Sequence, residues 1–490
     1  MSSILRRLPP EEAIALRTGA RHRLAQVYRP ADLVVLGLGV MIGAGIFGIA
    51  GRQAATTAGP GVILSFMIAG IACMLAALCY AELSSTIPTS GSAYTFAYVI
   101  FGEVWAWIIG WALILEMDLA AAVVTRVWAI YAAQALNDFG IMIPQTDLVF
   151  DLLSVLILTV ITITVSVGAR IGLRLLWVMV TAKLVAIAAV IVVGLRHFDP
   201  ANLGDFYVPP APTKQSAETV LGLVLGQTDS FGWFGIFTAA AAIAFAYLGF
   251  DIIATTAEET ADAPRTVPKG MIRSLAVATV IYIAVALVMV GMVPYSKISE
   301  RAPLAEAFRM VGEDAMVHVI NIGAVLGLTT VVLVLIVGQT RVLFSIARDG
   351  LLPRSLSTVS RRFHTPSTAT LVIGVVSMLL VVFVPVLLLE QLAVMGTLFG
   401  FMFVATGVIV IRRRMPNLPR GFSVPFSPLV PAVSLVATLW VMVNLYVQTW
   451  LYFAVWMAFG LLVYLVYGRR HSLLARALPD AVHLRGRHRR

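Results

Sequence analysis

Apolar residues occur along this chain in long continuous runs of about twenty, separated by short polar connectors. A helix that crosses the hydrocarbon core of a bilayer needs about 20 such residues, whereas a strand of a membrane barrel alternates over about ten. The pattern therefore predicts an all-α polytopic membrane protein with twelve transmembrane helices. The predicted spans are residues 33–51, 61–83, 97–121 (or 97–136), 148–168, 175–195, 235–256, 273–293, 317–346, 367–388, 391–411, 429–448 and 450–468.

The composition excludes the other large classes of protein. Of the 490 residues, 60% are hydrophobic and 12% are charged, whereas soluble domains carry about 25% charged residues and disordered chains contain few apolar ones. The sequence lacks the enzyme patterns GxxxxGK[ST], HExxH and GxSxG. It also lacks the rings of charge and the filter sequence that a channel needs. We therefore expect a protein that is not an enzyme and binds no cofactor or metal.

Lysine and arginine lie mainly on one side of the predicted spans. With the N-terminus in the cytoplasm, 27 of the 35 Lys and Arg residues fall in cytoplasmic segments, six fall outside, and two, Arg126 and Lys183, lie within spans. Positive residues favour the cytoplasmic side, so the sequence predicts a cell-membrane protein with both termini inside. The formal net charge of +10 then reflects topology and contact with anionic lipid, and nucleic acid is not an expected partner.

The first span, LVVLGLGVMIGAGIFGIAG, contains five glycines within twelve residues. Each glycine costs about 1 kcal/mol of helix propensity, and together they permit unwinding at Ile42–Ile46. The N–H groups freed at the start of a half-helix could bind a carboxylate. Close packing of Gly39 and Gly43 against a neighbouring helix explains the glycines equally well.

The sixth span, which contains IAFAYLGFDIIATTAEE, is interrupted by Gly249 and Asp251. The first and sixth spans occupy equivalent places if the chain consists of two five-helix repeats followed by two further helices. Transporters bind their substrates where helices are interrupted at matching positions of two halves. The two interruptions therefore predict a transporter with a binding site near the middle of the membrane.

Further charged residues lie inside the predicted spans. Lys183 is eight residues into the fifth span, and because burial generally disfavours a charged lysine it is a candidate proton carrier; snorkelling to the membrane surface is the alternative. Glu116 lies in the middle of the third span and is a second candidate. Asp118 points to a different face and is assigned to solvent or to a neighbouring helix. Arg126 is assigned as an anchor at the outer edge.

Four segments, in order along the chain, resemble one family of transporters. They are GLGVMIGAGIFGIAG, CYAELSSTIPTSGSAYTFAYVIFGEVWAWIIGWALILE, FAYLGFDIIATTAEET with PRTVPKGM, and GLTTVVLVLIVGQTRVLFSIARDGLLP. These segments are similar to the cationic amino acid transporter branch of the amino acid–polyamine–organocation (APC) superfamily. The similarity runs from about Tyr28 to the end of the tenth span.

The resemblance implies a five-plus-five inverted repeat with broken helices one and six. The chain then divides into a basic cytoplasmic segment (1–30), a first five-helix repeat (31–195), an extracellular loop (196–234), a second five-helix inverted repeat (235–412), helices 11 and 12 (413–468) and a basic cytoplasmic tail (469–490).

The resemblance also implies where an L-amino acid binds. Its α-carboxylate would meet N–H groups of the first break, and its α-ammonium would meet carbonyl groups of both breaks. The carboxylate-binding residues are Gly43, Ala44, Gly45 and Ile46, and the ammonium-binding residues are Ile42, Phe245, Ala246 and Leu248. Phe245 would also cover the bound ligand.

In proton-coupled relatives, a lysine at the position of Lys183 replaces a sodium ion between helices one, five and eight. Its expected partners are carbonyls of helix one and the hydroxyl of either Thr329 or Thr330. A fixed cation at this place repels sodium, so the resemblance favours proton symport by alternating access.

Side-chain selectivity is inferred from Leu335, where relatives that carry arginine have a small hydroxyl residue. Leucine shortens the pocket and offers no hydrogen bond, which favours small neutral amino acids such as alanine. Glu116 and Asp251 match acidic positions of the family and could attract a cation or act in gating, whereas Ala112 stands where an aspartate is expected.

Two alternatives remain open at this point. The chain could be a cationic amino acid or polyamine exchanger, or a non-transporting amino acid sensor, although its tails are short for an effector domain. The expected partners are an L-amino acid, protons and the lipid bilayer. The sequence does not determine the oligomeric state or whether a small single-span helper subunit binds.

Overall fold

The computed structural model describes residues 28–89, 91–167, 173–204, 206–212, 218–226, 229–360, 362 and 365–473. This part of the chain is almost entirely helical. Apart from the short α-helical segments Ala50–Gln53 and Arg469–His471, the α-helices are α1 (Pro30–Met41), α2 (Val62–Thr86), α3 (Ser92–Ile100), α4 (Glu103–Asp138), α5 (Asp147–Ser166), α6 (Leu173–Gly194), α7 (Val220–Leu225), α8 (Gly232–Ile243), α9 (Ile252–Thr255), α10 (Ala263–Met292), α11 (Pro303–Met310), α12 (Asp314–Arg348), α13 (Ser367–Phe383), α14 (Val386–Arg414), α15 (Leu429–Val443) and α16 (Val447–Val463).

Nine helical stretches of the described residues are long and apolar enough to cross a membrane. The first stretch, Pro30–Thr86, has 57 residues and covers both the first and the second predicted spans, with a turn at Gly59 (φ +60°). Two shorter apolar helices, α13 and α15, coincide with the ninth and eleventh predicted spans. The prediction of an all-α polytopic membrane protein is confirmed, and the number twelve and the inverted repeat stay predictions.

The third predicted span differs from the helix in the structure. The helix α4 begins at Glu103 rather than at residue 97 and continues to Asp138. Of the two predicted C-terminal ends, residue 136 is therefore closer to the structure than residue 121. The residues before it form the separate helix α3. Gly102 lies between the two helices with φ +104°, a conformation that glycine adopts readily and other residues rarely do. The apolar residues of α3 concealed this break in the sequence.

The connector 196–234, predicted to be a flexible outer loop, contains short elements of its own. Ala211–Pro212 pairs antiparallel with Asp229–Ser230, and α7 lies between these two segments. The connector is also attached to α10, because the Asp199 N–H donates to the carbonyl of Gly291 at 2.9 Å. The basic segment 1–27 and the tail 474–490 lie outside the described residues.

The long helix α4 lies at the centre of the molecule. Most of its side chains are buried, and it packs against α5, α12, α13, α14 and α16. The helix α10 packs against α1 and α2. Arg126, predicted as an anchor, forms ion pairs with Asp147 and Asp151 and so links α4 to the start of α5.

Candidate functional site

The first and sixth predicted spans are both broken in their middle. In the first, α1 ends at Met41, and the chain becomes helical again, as a π-helical turn, at Gly45. In the sixth, α8 is followed by a 3₁₀ turn that ends at Tyr247, and α9 starts at Ile252. Both interruptions agree with the sequence prediction of broken helices one and six.

The two breaks touch each other through backbone atoms. A Cβ placed on Gly45 would lie 2.2 Å from Cβ and 2.4 Å from Cα of Ala246. Gly249 has φ +104°, and a Cβ there would lie 2.1 Å from Cγ1 of Val40. Both positions therefore require glycine, because any side chain would push the two breaks apart.

The sequence left two explanations for the first-span glycines, unwinding of the helix and close packing against a neighbour, and the structure shows both. The chain is non-helical at Ile42 and Gly43, and among the described residues the Gly43 N–H donates to no backbone carbonyl. Gly39 and Gly43 also pack closely against neighbours: a Cβ would lie 3.2 Å from Val180 and 2.9 Å from Val331, respectively. Unwinding and close packing thus occur together.

Sequence reasoning missed Tyr282, which connects the two breaks. Its hydroxyl lies 2.5 Å from the carbonyl oxygen of Met41 and 2.8 Å from that of Ala246, and its side chain is fully buried. A tyrosine in the apolar run of α10 was the available signal, because a buried phenol needs a hydrogen-bond partner.

Replacing Tyr282 with phenylalanine is expected to reduce transport about tenfold while the protein still folds. The single hydroxyl proton is shared between two buried carbonyl oxygens. Without it one of them loses its donor, which costs about 1–3 kcal/mol and loosens the connection between the breaks. Initial uptake rates in proteoliposomes measure the effect. Tyr247→Phe is the matched control, since the Tyr247 hydroxyl donates to Phe66 on α2 instead; equal losses in both variants would contradict the prediction.

Lys183 extends from α6 to the first break. Its Nζ donates to the carbonyls of Gly39 at 2.6 Å and Ile42 at 3.0 Å, and lies 3.4 Å from the Thr330 hydroxyl. The hydroxyl of Thr329 instead donates to Val325 and accepts from Trp128. Of the two threonines that the resemblance left open, the ammonium group reaches Thr330.

Glu116 and Asp251 are both buried, at 3% and 1% exposure. The two carboxylates interact electrostatically, and the Thr397 hydroxyl lies beside Glu116. Among the described residues, Oε2 of Glu116 and both carboxylate oxygens of Asp251 have no hydrogen-bond partner. Such oxygens can accept hydrogen bonds from a ligand or can bind a proton.

The remaining predicted site residues lie around the two breaks or on α12 beside them. Phe245, Ala246 and Leu248 belong to the sixth-span break and are buried. Leu335 is also buried, one helical turn after Val331, which contacts Gly43. The helix α12 therefore brings both Thr330 and Leu335 to the side of the first break.

A family model for amino acid permeases matches residues 31–466. The chain belongs to the amino acid permease family. It is 40% identical to the methylthioribose transporter of Bacillus subtilis (strain 168), over 97% of this chain and 100% of that protein. It is 37% identical to the branched-chain amino acid permease BcaP of the same organism, over 96% and 99%. It is 33% identical to cationic amino acid transporter 4 of Mus musculus, over 85% of this chain and 64% of the relative.

These matches confirm the resemblance to the APC superfamily. An amino acid permease is a membrane transporter rather than an enzyme, and its surroundings are lipid.

Two ion pairs of this permease lie beyond the breaks, one on each broken span. Arg52, after the first break, pairs with Glu390 at the start of α14. Glu259, after the second break, pairs with Arg341 of α12 at 2.8 Å. Each pair connects one broken span to a long continuous helix.

Proposed function

We propose that this permease imports L-amino acids, foremost small neutral ones such as alanine, together with protons by alternating access. The observation that carries the proposal is the position of Lys183, whose ammonium group lies between the carbonyls of Gly39 and Ile42 and the hydroxyl of Thr330. A positive charge held among these oxygens occupies the place where a metal cation could otherwise bind. Direct repulsion then disfavours sodium.

A proton on Lys183 couples to conformation through these contacts. Charged Lys183 donates to two carbonyls of the first break, whereas neutral lysine is a weaker donor and binds them less firmly. A ligand shifts a conformational equilibrium only by its different affinity for the two states. The proton binds the two states with different affinity if Lys183 keeps these contacts in one state and loses them in the other.

The amino acid backbone binds between the two breaks. Its carboxylate accepts from N–H groups of Gly43, Ala44, Gly45 and Ile46, at the start of a half-helix that favours negative charge. Its ammonium group donates to carbonyls at Ile42, Phe245, Ala246 and Leu248, and the Phe245 ring covers the ligand. Among the described residues the Gly43 N–H has no backbone acceptor, which supports this arrangement, whereas the Ile46 N–H donates to the Gly43 carbonyl at 3.2 Å.

The two ion pairs break and form in turn as the binding site opens first to one side of the membrane and then to the other. The Arg52–Glu390 pair attaches the far end of the first broken span, and the Glu259–Arg341 pair attaches the far end of the sixth. Because the two pairs lie beyond different breaks, one can separate while the other holds. Both are formed in this structure, which supports a closed state between the two open ones.

The proposal is tested by uptake of labelled L-alanine into proteoliposomes with and without an inward proton gradient. We expect accumulation that requires the gradient, that is not stimulated by sodium, and that unlabelled alanine suppresses more than arginine does. Leucine belongs in the competitor panel, because one of the relatives is the branched-chain amino acid permease BcaP. Gradient-independent uptake would contradict proton coupling but not amino acid transport.

Replacing Leu335 with serine is expected to shift the arginine-to-alanine uptake ratio at least about tenfold towards arginine. A smaller side chain with a hydroxyl lengthens the pocket and offers a hydrogen bond, and differences of about 1–3 kcal/mol are typical of such pocket changes. Competition by both amino acids measures the ratio. Leu333→Ser, two residues earlier on another face of α12, is the matched control, and an unchanged ratio in Leu335→Ser would contradict the pocket assignment.

A cationic amino acid or polyamine exchanger is the second candidate. In the described part of the chain, one buried carboxylate oxygen of Glu116 and both of Asp251 have no hydrogen-bond partner, which favours this candidate. The similarity to the mouse cationic amino acid transporter 4 favours it too. Counterflow of labelled arginine driven by unlabelled arginine, without a proton gradient, would support exchange. Loss of this counterflow in Glu116→Gln would assign the acid to the cationic side chain.

A further inference from the structure

The helix α4 carries a second buried acid, Asp118, which the proposed function does not use. Its side chain is 4% exposed and faces α13, where the Ser377 hydroxyl donates to its Oδ1 at 2.9 Å. The side-chain amide of Gln339, on α12, also lies beside it. Of the two assignments made from sequence, the neighbouring helix is correct and solvent is wrong. An ionisable residue inside the apolar part of a membrane protein is rare and usually functional.

The groups that face Asp118 are neutral. Glu116, two residues earlier, interacts with Thr397 of α14 instead, and none of the ion pairs among the described residues includes Asp118. An unpaired carboxylate is unfavourable in such surroundings, and a bound proton removes its charge. The helix α13 has no titratable side chain. Among the described residues, none of the other titratable or charged side chains of α4, α5 and α12 forms an ion pair or hydrogen bond with Asp118. They are Glu103, Arg126, Tyr131, Asp138, Asp147, Asp151, Asp314, His318, Arg341 and Arg348.

A line of hydroxyl groups, here called the hydroxyl line, leads from Asp118 along α13 to the end of α5. Its two ends are about 15 Å apart, because the α13 residues Ser377 and Ser367 are ten positions apart at 1.5 Å each. The helices α5, α12 and α13 all contribute to it. Its members are Ser377, Thr162, Thr370, Thr340, Ser367, Thr365 and Ser166.

Contacts between the helices hold the hydroxyl line together. The hydroxyls of Thr340 and Thr370 are 3.4 Å apart, and each also has a carbonyl four residues earlier as acceptor, that of Ile336 at 2.7 Å and that of Pro366 at 3.3 Å. Nearer the end of α5, Thr365 and Ser367 both donate to the Ser166 carbonyl, at 2.7 and 2.8 Å. The hydroxyls of Thr365 and Ser367 are 3.1 Å from each other.

Several polar atoms along this line have no protein partner among the described residues. They are Oγ1 of Thr162, Oγ of Ser166 and Oε1 of Gln339, and none of these side chains is more than 7% exposed. Thr162 is directed at α13, since a Cβ on Gly374 would lie 2.2 Å from its hydroxyl oxygen. Buried polar atoms nearly always have a partner, so these hydroxyls are available to water and to one another. A hydroxyl both donates and accepts, as a chain that passes protons requires.

We propose that Asp118 is a proton-binding site of this permease, reached from the Ser166 end of α5 along the hydroxyl line. In the predicted topology that end faces the cytoplasm. The site is separate from Lys183, which extends from α6 towards α1 and touches α12 at Thr330. The Asp118 proposal rests on the proposed function only because it takes the protein to be a permease. Asp118 can bind a proton whether or not Lys183 carries the coupling proton.

Infrared spectroscopy of the reconstituted full chain tests the binding site. We expect the wild type at neutral pH to show a carboxylic-acid C=O band that Asp118→Asn lacks and Glu116→Gln retains. If the spectrum of Asp118→Asn instead loses carboxylate bands at every pH at which the protein stays folded, Asp118 binds no proton and the proposal is wrong. Asparagine keeps the size and the hydrogen-bonding capacity of the protonated acid, so this variant is expected to fold.

The rate at which this band shifts in D₂O tests the route. In Thr162→Val, which preserves shape but removes a hydroxyl, we expect the shift to be about tenfold slower, as a barrier higher by about 1.4 kcal/mol gives. The matched control is Thr164→Val, because the Thr164 hydroxyl bonds within its own helix to Val160 at 2.7 Å. Equal rates in the wild type and Thr162→Val would overturn the hydroxyl line as the route.

The same spectra separate this proposal from the proposed function. If Lys183→Ala keeps the Asp118 band while proton-driven uptake is lost, both proposals stand. If the wild type shows the band but transports without a proton gradient, the coupling mechanism fails and the Asp118 site stands. A missing band together with gradient-driven uptake overturns the Asp118 site alone.

Discussion

Replacing Gly45 with alanine is expected to reduce amino acid uptake about a hundredfold or more. The added methyl group would overlap Cα of Ala246, which is 2.4 Å away, and no side-chain rotation relieves contact with a backbone atom. Overpacking of this kind costs about 1–3 kcal/mol or more, and here it separates the two breaks that form the proposed site. Initial uptake of labelled alanine in proteoliposomes, normalised to folded protein, measures the loss.

Gly48→Ala is the matched control for this experiment. A Cβ at Gly48 would meet Val127 at 3.4 and 3.5 Å, which is ordinary van der Waals contact, so near-normal uptake is expected. The two glycines are three residues apart in the same segment. Normal transport by Gly45→Ala would show that the breaks need not touch, whereas equal loss in both variants would indicate a general intolerance of this segment.

Lys183→Ala is expected to abolish uphill uptake driven by a proton gradient. The substitution removes the ammonium group that donates to Gly39 and Ile42, leaving two buried carbonyls without this donor and the proposed coupling site without its proton carrier. Accumulation against a concentration gradient, with the proton gradient as the only driving force, is the measurement. Facilitated equilibration of substrate is expected to persist if the variant folds, and undiminished uphill uptake would contradict the assignment of Lys183.

The adjacent threonines provide a pair of controls for this result. Thr330→Val removes the hydroxyl 3.4 Å from the lysine and is expected to lower gradient-driven accumulation several-fold. Thr329→Val changes a residue whose hydroxyl faces Trp128 and is expected to leave the coupling intact. The opposite order would show that Lys183 contacts Thr329 in a working state of the permease.

The two interruptions were predictable because their causes are local in sequence. Gly45 and Gly249 weaken a helix wherever it packs, and an aspartate such as Asp251 is unfavourable in any apolar run. Lys183 was conspicuous for the same reason, since a single charge in a long apolar segment needs an explanation regardless of the fold.

The start of the third span was predicted wrongly for a related reason. The residues of α3 are as apolar as those of a membrane span, so hydropathy joined them to α4. Only the backbone turn at Gly102 separates the two helices, and a single glycine in an apolar run does not reveal its φ angle. Local composition therefore predicted the kind of segment but not where one helix ends and the next begins.

The sequence by itself determined the class of the protein, the positions of its two breaks and the unusual charge of Lys183. The tertiary structure decided which side chains meet: that Thr330 rather than Thr329 faces the lysine, that Tyr282 connects the breaks, and that Asp118 joins a line of hydroxyls. Neighbouring residues of a helix point in directions about 100° apart, so a contact between helices depends on their relative rotation. That rotation arises from packing along whole helices, and no short segment of sequence contains it.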